Sequence, residues 1–192
     1  MGRSREEKAE SHEQIVRVAA ERFRESGIDG IGVAELMKEA GLTHGGFYRH
    51  FESREVLVAE AIERALRDGS QRAASVEALP KPVALAALVD GYLSAAHRDQ
   101  LASSCAVTTL AADVARSTDR ARSAYTQQVG AYLELLTRLI STGTQGERRV
   151  RAIAALSTLV GAVSLARAVN DEKLSRELLK SAADALKAQL LG

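Results

Sequence analysis

The chain has 192 residues, 46% of them hydrophobic and 27% charged, a composition suited to one large soluble domain or two small ones sharing a core. Its 26 basic and 25 acidic residues cancel to +1, so total charge argues for neither a nucleic-acid nor a membrane partner. A single cysteine excludes an intrachain disulfide and fits a reducing cytoplasm, while two prolines, no tryptophan and many Ala, Leu, Arg and Glu favour an all-α fold.

The opening MGRSREEKAESHEQ is charged throughout and lacks the apolar run of a signal peptide. Ile15, Val18, Ala19 and Phe23 recur at helical spacing and predict a first helix. Ser11 with Gln14 predicts a capping box at its start, and Gly27 its stop. A short second helix fits 33–40, with Leu36 and Met37 inward and Gly41 closing it. Thr43 is the expected N-cap of a third, through about His50. Ser53 heads a fourth, in which Val56, Leu57, Ile62, Ala65 and Leu66 recur.

Both prolines, Pro80 and Pro82, fall in ALPKPV, which reads as a boundary. Beyond it the pattern predicts helices at 83–98, 104–116, 119–141, 147–169 and 172–190, making about nine in all. No window alternates as a strand would. The stretch from Ile153 to Ala166 is uncharged but shorter than the roughly 20 residues that span a bilayer, so it predicts a buried core helix.

Gly45 and Gly46 stand side by side inside the third predicted helix, where each glycine costs about 1 kcal/mol relative to alanine. A helix that follows another across a short turn can enter the major groove of DNA, its first residues meeting base edges. Bare backbone there would let the chain approach those edges closely. Thr43, Tyr48, Arg49, His50 and Arg54 surround it with groups suited to phosphates. The same residues would also serve a plain helical corner.

The stretch from Ile15 to Leu57 resembles the DNA-binding domain of the tetracycline-repressor (TetR) family of bacterial transcriptional regulators. The resemblance is carried by Ala19 to Phe23, Gly27, Val33-Ala34-Glu35-Leu36, Ala40-Gly41-Leu42-Thr43, Gly45, Phe47-Tyr48, His50-Phe51 and Ser53-Arg54-Glu55-Val56-Leu57. It implies a three-helix helix-turn-helix head over residues 1–52, a linking helix over 53–79, and a helical regulatory and dimerisation domain over 80–192. It also implies a homodimer on double-stranded, pseudo-palindromic operator DNA, repressing transcription until a small apolar or electrophilic effector relieves it. Carried over by position, Thr43, His44, Gly45 and Gly46 open the recognition helix, Tyr48 and His50 meet phosphates, and Arg54 stands where the family often has a phosphate-contacting lysine. Gly32 departs from the pattern by replacing the Thr or Ser that would cap the second helix.

Charge challenges this reading. Through residue 68 there are 11 Lys/Arg against 14 Asp/Glu, a balance of −3, leaving +4 for the remainder. Locally the sign reverses: Thr43 to Arg54 holds two arginines and two histidines against Glu52 alone. Arg3, Arg5 and Lys8 would add a basic arm able to reach the adjacent minor groove.

In the C-terminal part, Leu156, Val160, Val163, Leu178, Ala182 and Leu186 recur along the last two predicted helices, as a dimer face or as plain core. Tyr92, Cys105, Tyr125 and Tyr132, with His97, are the side chains suited to an effector pocket, and Cys105 is either a reactive thiol or a small buried hydrophobe. The four histidines show no metal-ligand spacing with Cys105, and no phosphate loop, GxSxG or HExxH motif occurs. The sequence therefore predicts no catalytic residue, no metal and no cofactor. The alternatives are a DNA-binding dimer without an effector and, less favoured, a helical enzyme.

Overall fold

Gly27 (φ 78°) and Gly41 (φ 71°) end the first two helices in left-handed backbone, where any side chain would be strained. A computed structural model describes residues 5–191, with the backbone alone described for 72–74. Within them the chain forms ten α-helices and three short 3-10 turns, and no strand. The N-terminal part comprises α1 (Arg5–Ser26), α2 (Val33–Glu39), a 3-10 helix (His44–Arg49) and α3 (Arg54–Ala74).

Helix α1 starts earlier than predicted. Ser11 lies inside it, its hydroxyl donating to the Glu7 carbonyl at 2.8 Å, so the Ser11–Gln14 capping box does not exist. The early residues are Glu, Lys, Ala and Arg, strong helix formers that need no apolar stripe to propagate a helix. Arg5 and Lys8 accordingly stand on an exposed helix rather than an extended arm, and Arg3 lies outside the described residues.

Pro80 is the N-cap of α4 (Lys81–Tyr92), with Pro82 in its first turn, where a missing N–H costs nothing. The single helix predicted over 83–98 is broken. Ser94 turns its hydroxyl to the Gly91 carbonyl and to the His97 N–H, starting the separate α5 (Ala95–Asp99). The helix predicted over 104–116 breaks at Leu110 (φ −111°) into α6 (Ala106–Thr109) and α7 (Ala111–Ala115). Three long helices follow: α8 (Asp119–Leu139), α9 (Gln145–Ala168) and α10 (Glu172–Leu191).

Thr144 and Glu147 form a full capping box on α9: the carboxylate takes the Thr144 N–H at 2.7 Å, and the Glu147 N–H donates to the Thr144 hydroxyl at 3.3 Å. Those bonds hold the Glu147 carboxyl below its ordinary value, the backbone N–H of Thr144 contributing most. Thr144→Ala is expected to cost about 1 kcal/mol. The stabilisation from Glu147 is present above the ordinary carboxylate range and lost as pH falls through the lowered folded value. Melting curves of the wild type and Glu147→Gln should therefore converge below that pH; a constant gap down to pH ~2 would contradict the assignment.

Two apolar clusters fill the interior. One gathers Ile15, Phe23, Leu36, Met37, Phe47 and Phe51 with Ile62 of α3, and continues into Cys105, Val107, Leu110 and Val114. The other joins α4, α8, α9 and α10 around Leu85, Leu136, Ile140, Leu159 and Leu186. Helix α9 is long and apolar enough to cross a membrane, but it buries Ala152, Ala155, Leu156, Leu159, Ala162, Val163 and Ala166 in the core. Leu156, Val163 and Leu186, read from sequence as interface, are buried within the chain itself, because the side of each helix that carries them faces its neighbours. The outer side of the α9–α10 pair instead carries Ile153, Leu165 and Leu174, all exposed, beside half-buried Val160, Gly161, Leu178 and Ala182.

Candidate nucleic-acid interface and core cavity

Helix α2 and the segment after it set the geometry of the head. The Leu42 N–H returns to the Met37 carbonyl at 2.8 Å, and left-handed Gly41 turns the chain so that Thr43 begins the next element. That element is a 3-10 helix, not the α-helix expected over 43–50. Six residues with two glycines make too few bonds to repay α-helical ordering, and the tighter turn suffices. Thr43 stands at the N-cap position without a side-chain capping bond, which leaves its exposed hydroxyl turned to solvent.

Phe47 anchors this element. It is buried, stacked on Phe51 at 5.4 Å, and Phe51 is stacked in turn on the His12 ring at 4.5 Å. His12 reaches Glu60 at 2.6 Å and so belongs to the head's framework, a role the sequence did not signal. With Phe47 inward, the opposite face presents Thr43, His44, Gly45, Tyr48 and Arg49, all exposed. Tyr48 is 75% exposed, an unusual position for a large aromatic in a framework built of aromatics.

The bare backbone is real space. A Cβ on Gly45 would have no atom within 4 Å, and one on Gly46 would meet only Met37 Cε and Thr43 Oγ1 at 3.7 Å. Neither glycine has positive φ, so the backbone does not require them. His50 is half-buried between Phe51 and the face. Arg54 differs from expectation: its guanidinium is engaged within the chain, donating to the Ile28 carbonyl and to Asp29 Oδ1, so it fixes the start of α3 against the turn after α1. Gly32 caps α2 without a side-chain bond, in keeping with the departure seen in sequence.

In the core, a cavity of about 290 Å³ opens beside Ala87 and Gly91 of α4. Most of its wall is aliphatic, from Val76, Leu88, Leu135, Leu136, Leu156 and Leu159. Among the described residues its polar lining is Tyr92, His97, Cys105 and Tyr132, so three of the four predicted pocket residues meet there. Tyr125 does not line it; its hydroxyl donates to the Val107 carbonyl at 2.7 Å. Gly69 of α3 forms part of the wall, and a side chain there would run into the Tyr132 hydroxyl. The helix that carries the head therefore borders the cavity directly.

Behind the cavity, Arg167 of α9 donates to the carbonyls of His97 and Arg98 at 2.7 and 2.9 Å and to the Ser104 hydroxyl. Burial pulls its guanidinium down from its ordinary value, yet an arginine stays charged in proteins. The Cys105 N–H donates to His97 Nε2 at 3.0 Å, so that nitrogen carries no proton. His97 Nδ1–H then donates to the Tyr92 carbonyl at 2.6 Å, which assigns a neutral imidazole from the network.

The sequence of residues 15–61 matches the family of "bacterial regulatory proteins, tetR family". A 53-residue segment is 38% identical to an uncharacterised HTH-type transcriptional regulator, YdgC, of Bacillus subtilis; the match covers 28% of this chain and 27% of that protein, so the chain spans about a quarter of its curated relative. A TetR transcriptional regulator from Chloroflexus aurantiacus is similar over 95% of both chains, with 26% identity and a TM-score of 0.78. The fold is also that of AibR, solved with isovaleryl coenzyme A and operator DNA, at 18% identity, 94% and 97% coverage and a TM-score of 0.64.

Proposed function

We propose that the chain, whose residues 15–61 match the tetR family of bacterial regulatory proteins, is a dimeric, cytoplasmic repressor of that family whose grip on operator DNA is released by a small molecule held in the core. The observation that carries the reading is the exposed, side-chain-free turn at Gly45 and Gly46, standing on an aromatic framework that holds it outward. Placed in a major groove, it lets peptide backbone lie against base edges, while Thr43, Tyr48 and Arg49 bind the flanking phosphates. AibR holds operator DNA and isovaleryl coenzyme A on the same fold, which supports assigning a DNA partner and a small-molecule partner here.

The division is that of a reading head through residue 52, a linking helix over 53–79 and a regulatory core from 80 onward. Two copies join through the outer face of α9 and α10, where Ile153, Leu165 and Leu174 leave apolar surface in water. A two-fold pair then sets two heads one helical turn apart, so the operator is a pseudo-palindrome. Effector and DNA oppose each other by equal factors, as linkage requires, through α3, which carries the head and borders the cavity at Gly69.

Selection of bound duplexes from a random pool tests this and should recover two inverted half-sites. Affinity should fall with salt less steeply than a log–log slope of about −9, the value for ten phosphates. Few cations are at liberty on the face, because Arg54 is engaged with Asp29 and Arg22 with Glu25 and Glu39. Recovery of random sequence, or a slope at or beyond that value, would contradict the reading.

A further inference from the structure

We propose that the core cavity selects an uncharged, largely apolar molecule of about ten to fifteen non-hydrogen atoms that ends in a hydrogen-bond acceptor, and that Tyr92 supplies the hydrogen bond. The proposal rests on the core being an effector chamber and adds what the effector is chemically. Volume sets the first limit. At the packing density of protein interiors, about 290 Å³ encloses a group of that size.

Charge sets the second. Among the described residues, no Asp, Glu, Lys or Arg lines the cavity. Arg167, behind His97, directs its Nε and Nη2 to two carbonyls and Ser104. His97 is neutral, with Nε2 already accepting from the Cys105 N–H and Nδ1 already donating to the Tyr92 carbonyl. A carboxylate placed here would lose its water and find no counter-ion among the described lining residues, which is unfavourable.

The third limit is directional. Tyr92 Oη lies 2.5 Å from Thr108 Oγ1, and either atom can donate. Two hydroxyls carry two hydrogens and one bond between them uses only one. When Thr108 donates to the phenol oxygen, the phenol hydrogen is released to an acceptor in the cavity. Burial first, and then the neighbouring Cys105, push the Tyr92 phenol well above its ordinary value, so it keeps that hydrogen at any physiological pH. Across the polar end, the Cys105 thiol already donates to the Tyr132 hydroxyl at 3.8 Å. The aliphatic wall of α8 and α9 takes the rest of the ligand.

Three matched probes test this by calorimetric titration of the full chain: 4-phenylbutan-2-one, butylbenzene and 3-phenylpropanoate. The ketone should bind most tightly, butylbenzene about tenfold more weakly, and the carboxylate at least a hundredfold more weakly. Tyr92→Phe should reduce ketone affinity about tenfold while leaving butylbenzene unchanged, since only the O–H is removed. A second variant, Leu88→Phe, narrows the cavity from its partly exposed rim and should weaken both neutral probes together. Binding of 3-phenylpropanoate as tight as that of the ketone overturns the proposal. So does absence of ketone binding at about 1 mM. Affinity for the duplex recovered by selection is measured in the same samples: if it is intact, the ligand class alone has failed, and if it is absent, the regulator reading has failed as well.

Discussion

Gly45→Leu is expected to lower operator affinity by about a hundredfold, or about 2.7 kcal/mol, while leaving the melting temperature unchanged or slightly higher. The separation is possible because Gly45 is exposed, has no positive φ, and offers a new Cβ no atom within 4 Å. Replacing a glycine whose backbone any residue can adopt narrows the unfolded ensemble and stabilises by about 0.4–1 kcal/mol. The folded head therefore loses nothing. In the complex, the isobutyl group stands between the backbone and the bases and holds them several ångströms apart. Gly46→Ala is the milder companion, since its methyl makes ordinary contact with Met37 and Thr43 on the protein side. Calorimetric melting and fluorescence anisotropy with the selected duplex measure the two quantities. Affinity within threefold of wild type, in a protein that melts normally, would mean that the turn does not face the bases.

The head was legible because its physics is local. Gly27 and Gly41 end helices in backbone that only glycine adopts readily, and the Ile15–Phe23 stripe has one face to bury. The core was less so, because its decisive contacts join distant residues. Ser94 and His97 break a helix through bonds to Gly91 and Tyr92 that no apolar periodicity encodes. Arg167 reaches His97 across seventy positions, and reads in sequence as a charge closing an apolar run. Val163 and Leu186 look like interface candidates until the packing of α9 on α8 and α10 shows which side each presents inward. In the pocket, Tyr92, Cys105 and Tyr132 converge. Tyr125, on nearly the same face of α8 as Tyr132 and about two turns away along it, lies beside a backbone carbonyl instead, a difference of height along the helix that composition does not carry. Arg54 shows the same limit within the head: its position suits a phosphate, and its nearest partners are Asp29 and Ile28.

The largest expected loss of stability comes from a residue that no sequence pattern singles out. Arg24 lies on α1 yet is only 5% exposed. Its Nε donates to the Ala102 carbonyl at 2.6 Å, and its other nitrogens reach the Ala65 carbonyl and Asp68 of α3. One guanidinium thus joins the head, the linking helix and the turn at Leu101–Ser103 that leads into Ser104 and Cys105. Arg24→Ala leaves the Ala102 carbonyl without that donor and empties the space of the buried stem, while Asp68 keeps Arg64 at 2.9 Å. The expected cost is about 3 kcal/mol, between that of an orphaned polar group and that of a broken buried ion pair. For a chain of this size the melting temperature should fall by roughly 6–12 °C. Arg24→Lys should fall between the two, because an ammonium can face Asp68 or the Ala102 carbonyl but lacks the planar fork that serves both at once. A shift below about 2 °C for Arg24→Ala would show that water replaces the guanidinium at little cost and that head and core are held together by apolar contact alone.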